Sequence, residues 1–246
     1  MQMRLREIAA CTGGRMAGPD VEVRGMTHDS RRVRSGDLFV ALPGARCDGH
    51  EFAVGAIEAG AVAVLGRREL NADFPQVTVA DPLRAMGQVA AAWRARLPVQ
   101  VVGITGSNGK TTVKEMTAAV LSAAGATAAT RGNYNNEIGV PLTLAALAED
   151  HRYAAIEMGE ARPGDIRYLA ELAQPTVGVI TNAGPAHLET MGSLEGVART
   201  TGELFTELPA DGTAVINADD RFADFWRELA APRSVITFGM DAAADV

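Results

Sequence analysis

Hydrophobic positions along this chain change rhythm near residue 98, and a different pattern lies on each side of the change. Ahead of it, "MRLREIAACTGG" spaces its apolar residues as one face of a short helix that glycine ends. "VEVRGMTHDSRRVRSGDLFVALPG" alternates polar and apolar residues around turn signals, which predicts short strands. "EFAVGAIEAGAVAVLG" predicts a helix, a stop at Gly60 and a buried strand, and "QVTVADP" predicts another strand closed by Asp-Pro. "LRAMGQVAAAWRARLP" predicts a helix stopped by Pro98, the expected boundary between a domain of residues 1–97 and one of residues 98–246.

Beyond Val99, strand-like and helix-like segments alternate. The apolar runs "VQVVGIT", "YAAIEMG", "PTVGVITN", "GTAVIN" and "RSVITFG" are separated by helical spacing in "VKEMTAAVLSAAG", "PGDIRYLAELAQ" and "SLEGVARTTGELFTEL". The expected class is α/β. A small N-terminal α/β domain precedes a P-loop NTPase-like, mostly parallel sheet with helices on both faces. The final "MDAAADV" holds no evident closing element.

Composition narrows the partners. A net charge of −7 argues against nucleic acid or an anionic membrane as the main partner, while leaving room for a local basic patch. No apolar stretch approaches the ~18 residues that span a bilayer, and the start lacks a signal-peptide pattern. Cys11 and Cys47 make neither a disulfide framework nor a metal cluster, which fits a reducing cytoplasm. Basic residues are chosen unevenly. Of the 23, only Lys110 and Lys114 are lysine, and one of them sits in a glycine-rich turn.

That turn, "ITGSNGKTT", joins an apolar strand to a helix. Gly106 and Gly109 allow backbone N–H groups to close around phosphates. Lys110 brings positive charge to the β- and γ-phosphates, and the Thr111 hydroxyl is placed to ligate Mg²⁺. The strict P-loop spacing would put glycine where Ile104 stands, so the match is to the shorter "TGSNGKTT". Asn133, Asn135 and Asn136 suit either a loop offering both donors and acceptors or a cluster of caps and turns. Glu157 ends the strand "YAAIEMG", at the edge where open α/β sheets bind ligands, and could hold Mg²⁺ there. His187 follows the strand "PTVGVIT" and is open to a functional or a structural reading. Ser30, Arg31, Asp48, Gly49 and His50 form either a polar loop set over a small core or a binding edge for a polar substrate such as a nucleotide sugar.

Taken in order, these segments resemble the Mur ligases of bacterial cell-wall synthesis over nearly the whole chain. "DSRRVRSGDLFVALPGARCDGHEFA" is similar to the family's uridine-nucleotide-binding domain. "GITGSNGKTTVKEM", "GNYNNEIGVPLTL", "EMGEARPGDI", "TNAGPAHLETMGSLEGVAR" and "NADD" resemble the branch that adds D-alanyl-D-alanine to UDP-N-acetylmuramoyl-tripeptide. The resemblance implies a cytoplasmic, monomeric, ATP- and Mg²⁺-dependent ligase that works through an acyl phosphate. The loop residues Thr105, Gly106, Ser107, Asn108, Gly109, Lys110, Thr111 and Thr112 would hold ATP, with Asn217 and Asp220 near the adenine. Thr111 and Glu157 would hold one Mg²⁺, and His187 would help hold a second near the acyl phosphate. Lys110, Glu157 and His187 would form the catalytic set. Ser30, Arg31, Asp48, Gly49 and His50 would hold the UDP portion, with Asn133, Asn135 and Asn136 also on the substrate.

The chain departs from the family twice. The family motif carries a lysine that becomes carbamylated and bridges the metal site, whereas "ARTTGELF" puts Thr201 there. Weaker binding of the second metal and a lower rate are expected. A complete member also has a third, Rossmann-like domain, and this chain stops before it. It is therefore expected to bind the UDP-sugar peptide better than it ligates. Two alternatives stand beside the leading one: a catalytically silent nucleotide-binding module of this fold, and a sister ligase of MurE or folylpolyglutamate synthetase type.

Overall fold

The computed structural model describes residues 1–44 and 47–246. Residues 45 and 46, part of the first-domain stretch that carries the resemblance, lie outside the described residues. The chain forms two compact units, Met1–Leu97 with Leu144–Ala148, and Pro98–Thr143 with Glu149–Val246.

The first unit runs β1 (Met3–Arg4), α1 (Leu5–Thr12), β2 (Arg15–Ala17), β3 (Glu22–Val23), β4 (Gly25–Thr27), β5 (Asp37–Val40), α2 (Ala53–Glu58), β6 (Ala63–Gly66), β7 (Gln76–Thr78) and α3 (Pro82–Arg94). Its five-stranded sheet has the order β2-β7-β6-β5-β4. The pairings are parallel except for β2 against β7, and β1 and β3 make a separate antiparallel pair. β5 and β6 are buried at every residue, as parallel strands covered on both faces must be. Phe39 and Val64 pack there with Ala41, Ala53 and Ala56. The helix ends follow local chemistry. Gly13 takes the left-handed conformation (φ 62°) that closes α1. Asp81 accepts from the N–H groups of Leu83 and Arg84, and Pro82 opens α3.

The second unit runs β8 (Gln100–Thr105), α4 (Lys110–Ser122), β9 (Thr127–Ala129), α5 (Gly139–Ala145, its last two residues grouped with the first unit), β10 (Tyr153–Glu157), α6 (Asp165–Ala173), β11 (Val177–Ile180), α7 (Leu188–Met191), α8 (Leu194–Thr206), β12 (Thr213–Asn217), α9 (Ala223–Ala230) and β13 (Ser234–Phe238). Its six strands are all parallel, in the order β13-β12-β11-β8-β10-β9. Each strand expected in this half is present. From β8 the chain moves outward to β9, returns to β10, then crosses to β11 on the other side of β8. Parallel strands joined in both directions from β8 by crossovers, which are right-handed as a rule, carry helices on both faces. They also open a crevice at the carboxyl ends of β8 and β11, where the strand order reverses.

Two features differ from the sequence expectation. The edge strands β2 and β9 were not anticipated. Both are short, and "RMA" and "TAA" have little β-forming composition. The final segment does close. Asp245 accepts from the N–H and hydroxyl of Thr237 at 2.8 and 2.7 Å, and Asp219 accepts from the N–H groups of Met240 and Ala242.

Candidate functional site

The carboxyl edge of the second sheet gathers most of the polar residues singled out in the sequence. β8 ends at Thr105, and the turn Gly106–Gly109 leads directly into α4. Gly106 (φ 125°) and Gly109 (φ 81°) both adopt conformations that favour glycine. A Cβ on Gly106 would lie 2.2 Å from Thr181 Oγ1 and 2.9 Å from Asn182 O, so this position excludes any side chain. The turn is latched to the segment after β11. Ser107 N donates to Asn182 O at 2.9 Å, and Asn108 N donates to Asn182 Oδ1 at 3.1 Å. The Ser107 hydroxyl donates to Gly184 O and accepts from Gly184 N. Thr181 Oγ1 donates to Asn108 O at 2.7 Å. Lys110 curls over the turn, its ammonium donating to Gly106 O. Thr111 and Thr112 lie exposed on the first turn of α4.

Two carboxylates stand beside this turn. Glu157, at the end of β10, is 1% exposed. Its Oε1 accepts from Asn135 Nδ2 at 2.8 Å, whereas its Oε2 is buried without a hydrogen-bond partner. A buried acceptor without a donor costs on the order of 1–3 kcal/mol, more when charged, so Glu157 keeps a free valence that a cation would fill. Glu160, three residues on, is 6% exposed and accepts from the Thr105 hydroxyl at 3.1 Å. Burial pushes its carboxyl above the usual range, and the nearby Lys110 charge pulls back against that. Among the described residues no three His, Cys, Asp or Glu side chains converge as a ready-made metal site. Mg²⁺ needs no such set, because one or two carboxylates with waters and substrate phosphates suffice.

A cleft of about 240 Å³ collects Lys110, Asn135, Asn136, Glu160, Tyr168 and His187. His187 has φ 51° at the head of the short helix α7, an uncommon conformation for a residue other than glycine. The asparagines divide their work. Asn135 holds Glu157, and its carbonyl accepts from Gly159 N. Asn136 Oδ1 accepts from the N–H groups of Ile138 and Gly139 and so caps α5. Asn133 is exposed. Asn217 and Asp220 tie neighbouring loops together: Asn217 Nδ2 donates to Thr181 O, and Asp220 Oδ2 accepts from Ala183 N. Thr201 is fully buried in α8, its hydroxyl donating within that helix to Val197 O and Ala198 O. Sequence reasoning missed Glu160, Asn182 and Gly184. Their signal was position alone, each standing two to four residues beyond a strand at this edge.

The other candidates belong to the first unit, where they form two single-turn 3₁₀ segments. Asp29 caps Ser30–Arg32, and the Arg31 guanidinium donates to both oxygens of Asp29 at 2.9 Å. That contact lowers the Asp29 carboxyl to about 2. Asp48 caps Gly49–Phe52. His50 is buried, with Nδ1 on Asp48 Oδ1 at 2.6 Å, while Nε2 accepts from Arg67 N at 2.9 Å. The ring is therefore the neutral Nδ1–H form, with both nitrogens engaged. Gly49 is required by close approach, since a Cβ there would lie 2.6 Å from Leu42 O.

A glycine-lysine turn at the switch point of a parallel sheet, with an underbonded glutamate on the next strand, is the arrangement of α/β domains built on a glycine-rich strand-to-helix turn. Two family descriptions match the chain: "Mur ligase family, catalytic domain" over residues 22–149 and "Mur ligase middle domain" over residues 104–246. The chain belongs to the Mur ligase family. Within it, the chain is a homologue of MurF. It is 43% identical over 243 residues to the UDP-N-acetylmuramoyl-tripeptide–D-alanyl-D-alanine ligase of Escherichia coli (strain K12), a match covering 99% of this chain and 54% of that protein. MurF from Acinetobacter baumannii superposes with a TM-score of 0.90 at 35% identity, covering 97% of this chain and 54% of that one. MurF ligase from Thermotoga maritima, solved in complex with ADP, superposes with a TM-score of 0.80 at 34% identity, over 89% and 51%. The chain thus spans about half the length of the relatives it matches. Among the described residues no helix is long and apolar enough to cross a membrane.

Proposed function

We propose that this chain carries the nucleotide- and UDP-substrate-binding parts of a cytoplasmic ligase that uses ATP to join D-alanyl-D-alanine to UDP-N-acetylmuramoyl-tripeptide. The observation that carries the reading is the latched Gly106–Gly109 turn, with Lys110 above it and an unpartnered oxygen of Glu157 beside it. Relatives bearing that ligase name, one of them solved with ADP, support it.

Chemistry dictates what such a site must do. A carboxylate is a poor electrophile. Its oxygen attacks the γ-phosphorus of ATP, ADP leaves, and the resulting acyl phosphate carries a good leaving group. The amine of the dipeptide then attacks the carbonyl carbon, and the C–O bond to phosphate breaks. Two anions must first be brought together, which requires fixed positive charge and N–H donors. Lys110 would leave the loop carbonyls for the phosphates, together with amides of the turn other than those of Ser107 and Asn108, which the latch takes. Thr111 and Glu157 are the groups that would hold Mg²⁺, which neutralises phosphate charge when bound. His187 and the asparagines line the cleft beside them. In the first unit, Ser30, Arg31 and the Asp48–His50 segment would border the uridine nucleotide.

A second reading, a nucleotide-binding module without turnover, is favoured by one observation: Thr201 is buried on its own helix and brings no charge to the site. One experiment separates the two. The chain is incubated with ATP, Mg²⁺, UDP-N-acetylmuramoyl-tripeptide and D-alanyl-D-alanine, with and without a separately expressed C-terminal half of a full-length relative. Phosphate release that needs both peptide substrates, and is lost in Lys110→Ala, supports the ligase. Nucleotide binding with no release in either mixture supports the silent module.

A further inference from the structure

Lys114 is the second of the chain's two lysines, and the reading above gives it no task. It is fully buried, one helical turn past Lys110, and among the described residues it is the one buried side chain of α4. Met116 and Val120 of the same helix are exposed. A helix that turns apolar residues outward and a lysine inward breaks the usual pattern. An ammonium withdrawn from water is costly unless its donors are engaged. Here they go to Thr130 O at 2.9 Å and to the Glu115 carboxylate. Thr130 is 2% exposed and lies directly past β9. Its N–H donates to Ala155 O at 3.1 Å, and its hydroxyl oxygen accepts from Glu157 N at 3.0 Å. At the far end of the same loop, Asn135 Nδ2 donates to Glu157 Oε1. Residues 130–135 thus form a bracket with one end on the backbone of Glu157 and the other on its carboxylate.

We infer that Lys114 is a positioning residue: it ties α4, whose first turn carries Lys110 and Thr111, to the bracket that aims Glu157. The phosphate turn and the end of β10 are separate pieces of chain. A cation held by Thr111 and Glu157 needs both at a fixed separation. An apolar side chain at position 114 would pack against the bracket without fixing it, whereas the ammonium grips Thr130 O through a directional, charge-assisted bond. Lys114 is too deeply buried to touch a ligand itself, so its effect passes through Thr130 to Glu157. This role rests on the nucleotide- and Mg²⁺-binding reading above.

The test uses the intact chain and three readouts. Mn²⁺ affinity in the presence of a non-hydrolysable ATP analogue is read by electron paramagnetic resonance. Affinity for the analogue without metal is read by calorimetry, and hydrogen exchange of the Glu157 amide by nuclear magnetic resonance. Lys114→Met keeps an unbranched apolar stem and removes the ammonium. It is expected to weaken Mn²⁺ binding by about 10-fold or more, the size usual for losing a group that orients a metal ligand. Metal-free analogue affinity should stay within about 2-fold, because Lys110 and the turn are untouched. The Glu157 amide should exchange faster. Thr130→Val, which removes the hydroxyl that holds Glu157 N–H, should show the same split, and it keeps the test open if the methionine variant fails to fold. Combined, the two substitutions should weaken Mn²⁺ by clearly less than the product of their single effects. Unchanged Mn²⁺ affinity in either folded variant would overturn the inference. So would an equal loss of Mn²⁺ and of metal-free analogue affinity, the mark of a merely structural lysine. A wild-type chain that binds no analogue, with or without metal, would instead overturn the nucleotide-binding reading itself.

Discussion

The two compact units contain the same kind of sequence signal and use it in opposite ways. In the first unit, the polar residues after the strands satisfy one another. Asp29 takes the Arg31 fork, and Asp48 takes His50, whose other nitrogen takes the Arg67 amide. In the second unit, the polar residues after β8 and β10 are held in place but left with valence to spare, in Glu157 Oε2 and in the open side of Glu160. The difference separates polar groups that shape an edge by pairing among themselves from groups left open to a ligand. Both units contain buried, hydrogen-bonded polar side chains, but the second also keeps an acceptor whose partner must come from outside the chain.

The comparison is open to attack, and the strongest attack is on His50. Replacing it by alanine removes two hydrogen bonds and the ring that fills the space beside Gly66. A loss of about 2–4 kcal/mol in urea unfolding is expected, with unchanged affinity for an ATP analogue. A parallel fall in nucleotide affinity would break the distinction. Glu157→Gln should behave in the opposite sense. The amide keeps its acceptor for Asn135 while removing an unpaired buried charge, so the melting temperature is expected to hold or rise. Mn²⁺ affinity should fall by ~10-fold or more. A clear drop in melting temperature would make Glu157 part of the scaffold.

The smallest effect concerns Asp29. Its folded-state carboxyl lies near 2 against an ordinary value of 3.8. A depressed carboxylate stabilises the fold above its unfolded value, and that contribution is lost as pH falls through the folded one. Wild type should therefore lose an increment of stability between about pH 4 and pH 2. Asp29→Asn, which can still cap the 3₁₀ turn, should lack that increment in an acid titration followed by circular dichroism. Because the pair is solvent-exposed, the increment is small. Identical acid limbs would show that the Arg31 fork contributes nothing measurable.

The strong periodicities were legible in the sequence. β8, β10, β11, β12 and β13 each have an apolar run bounded by turn residues, and α3 carries its proline and aspartate at the start. The phosphate turn was legible because glycine and lysine announce their own backbone and charge requirements. β2 and β9 were not, since a three-residue edge strand is specified by its neighbour and not by its own composition. The closing tail was hidden for a similar reason: Asp245 gains meaning only when Thr237 lies beside it. Glu160 was passed over because "EMGEARPG" gives no sign that one glutamate is sealed at the strand end and the next turned back toward Thr105. Those facts arise from side-chain direction, which spacing alone does not encode.

The latch between the phosphate turn and the segment after β11 bears on how the molecule assembles. Ser107 meets Gly184 and Asn108 meets Asn182 across 77 and 74 positions of chain, with β9, β10, β11 and three helices in between. The shape of the turn is thus a long-range property, although its sequence looks self-contained. Closing so large a loop costs entropy that only the docking of β11 against β8 offsets. During synthesis from the amino terminus, a nascent chain that has emerged only as far as β10 carries every glycine and the lysine of "TGSNGKTT" without the latch that sets them. The set shape of this turn is therefore acquired late, as a property of the finished sheet.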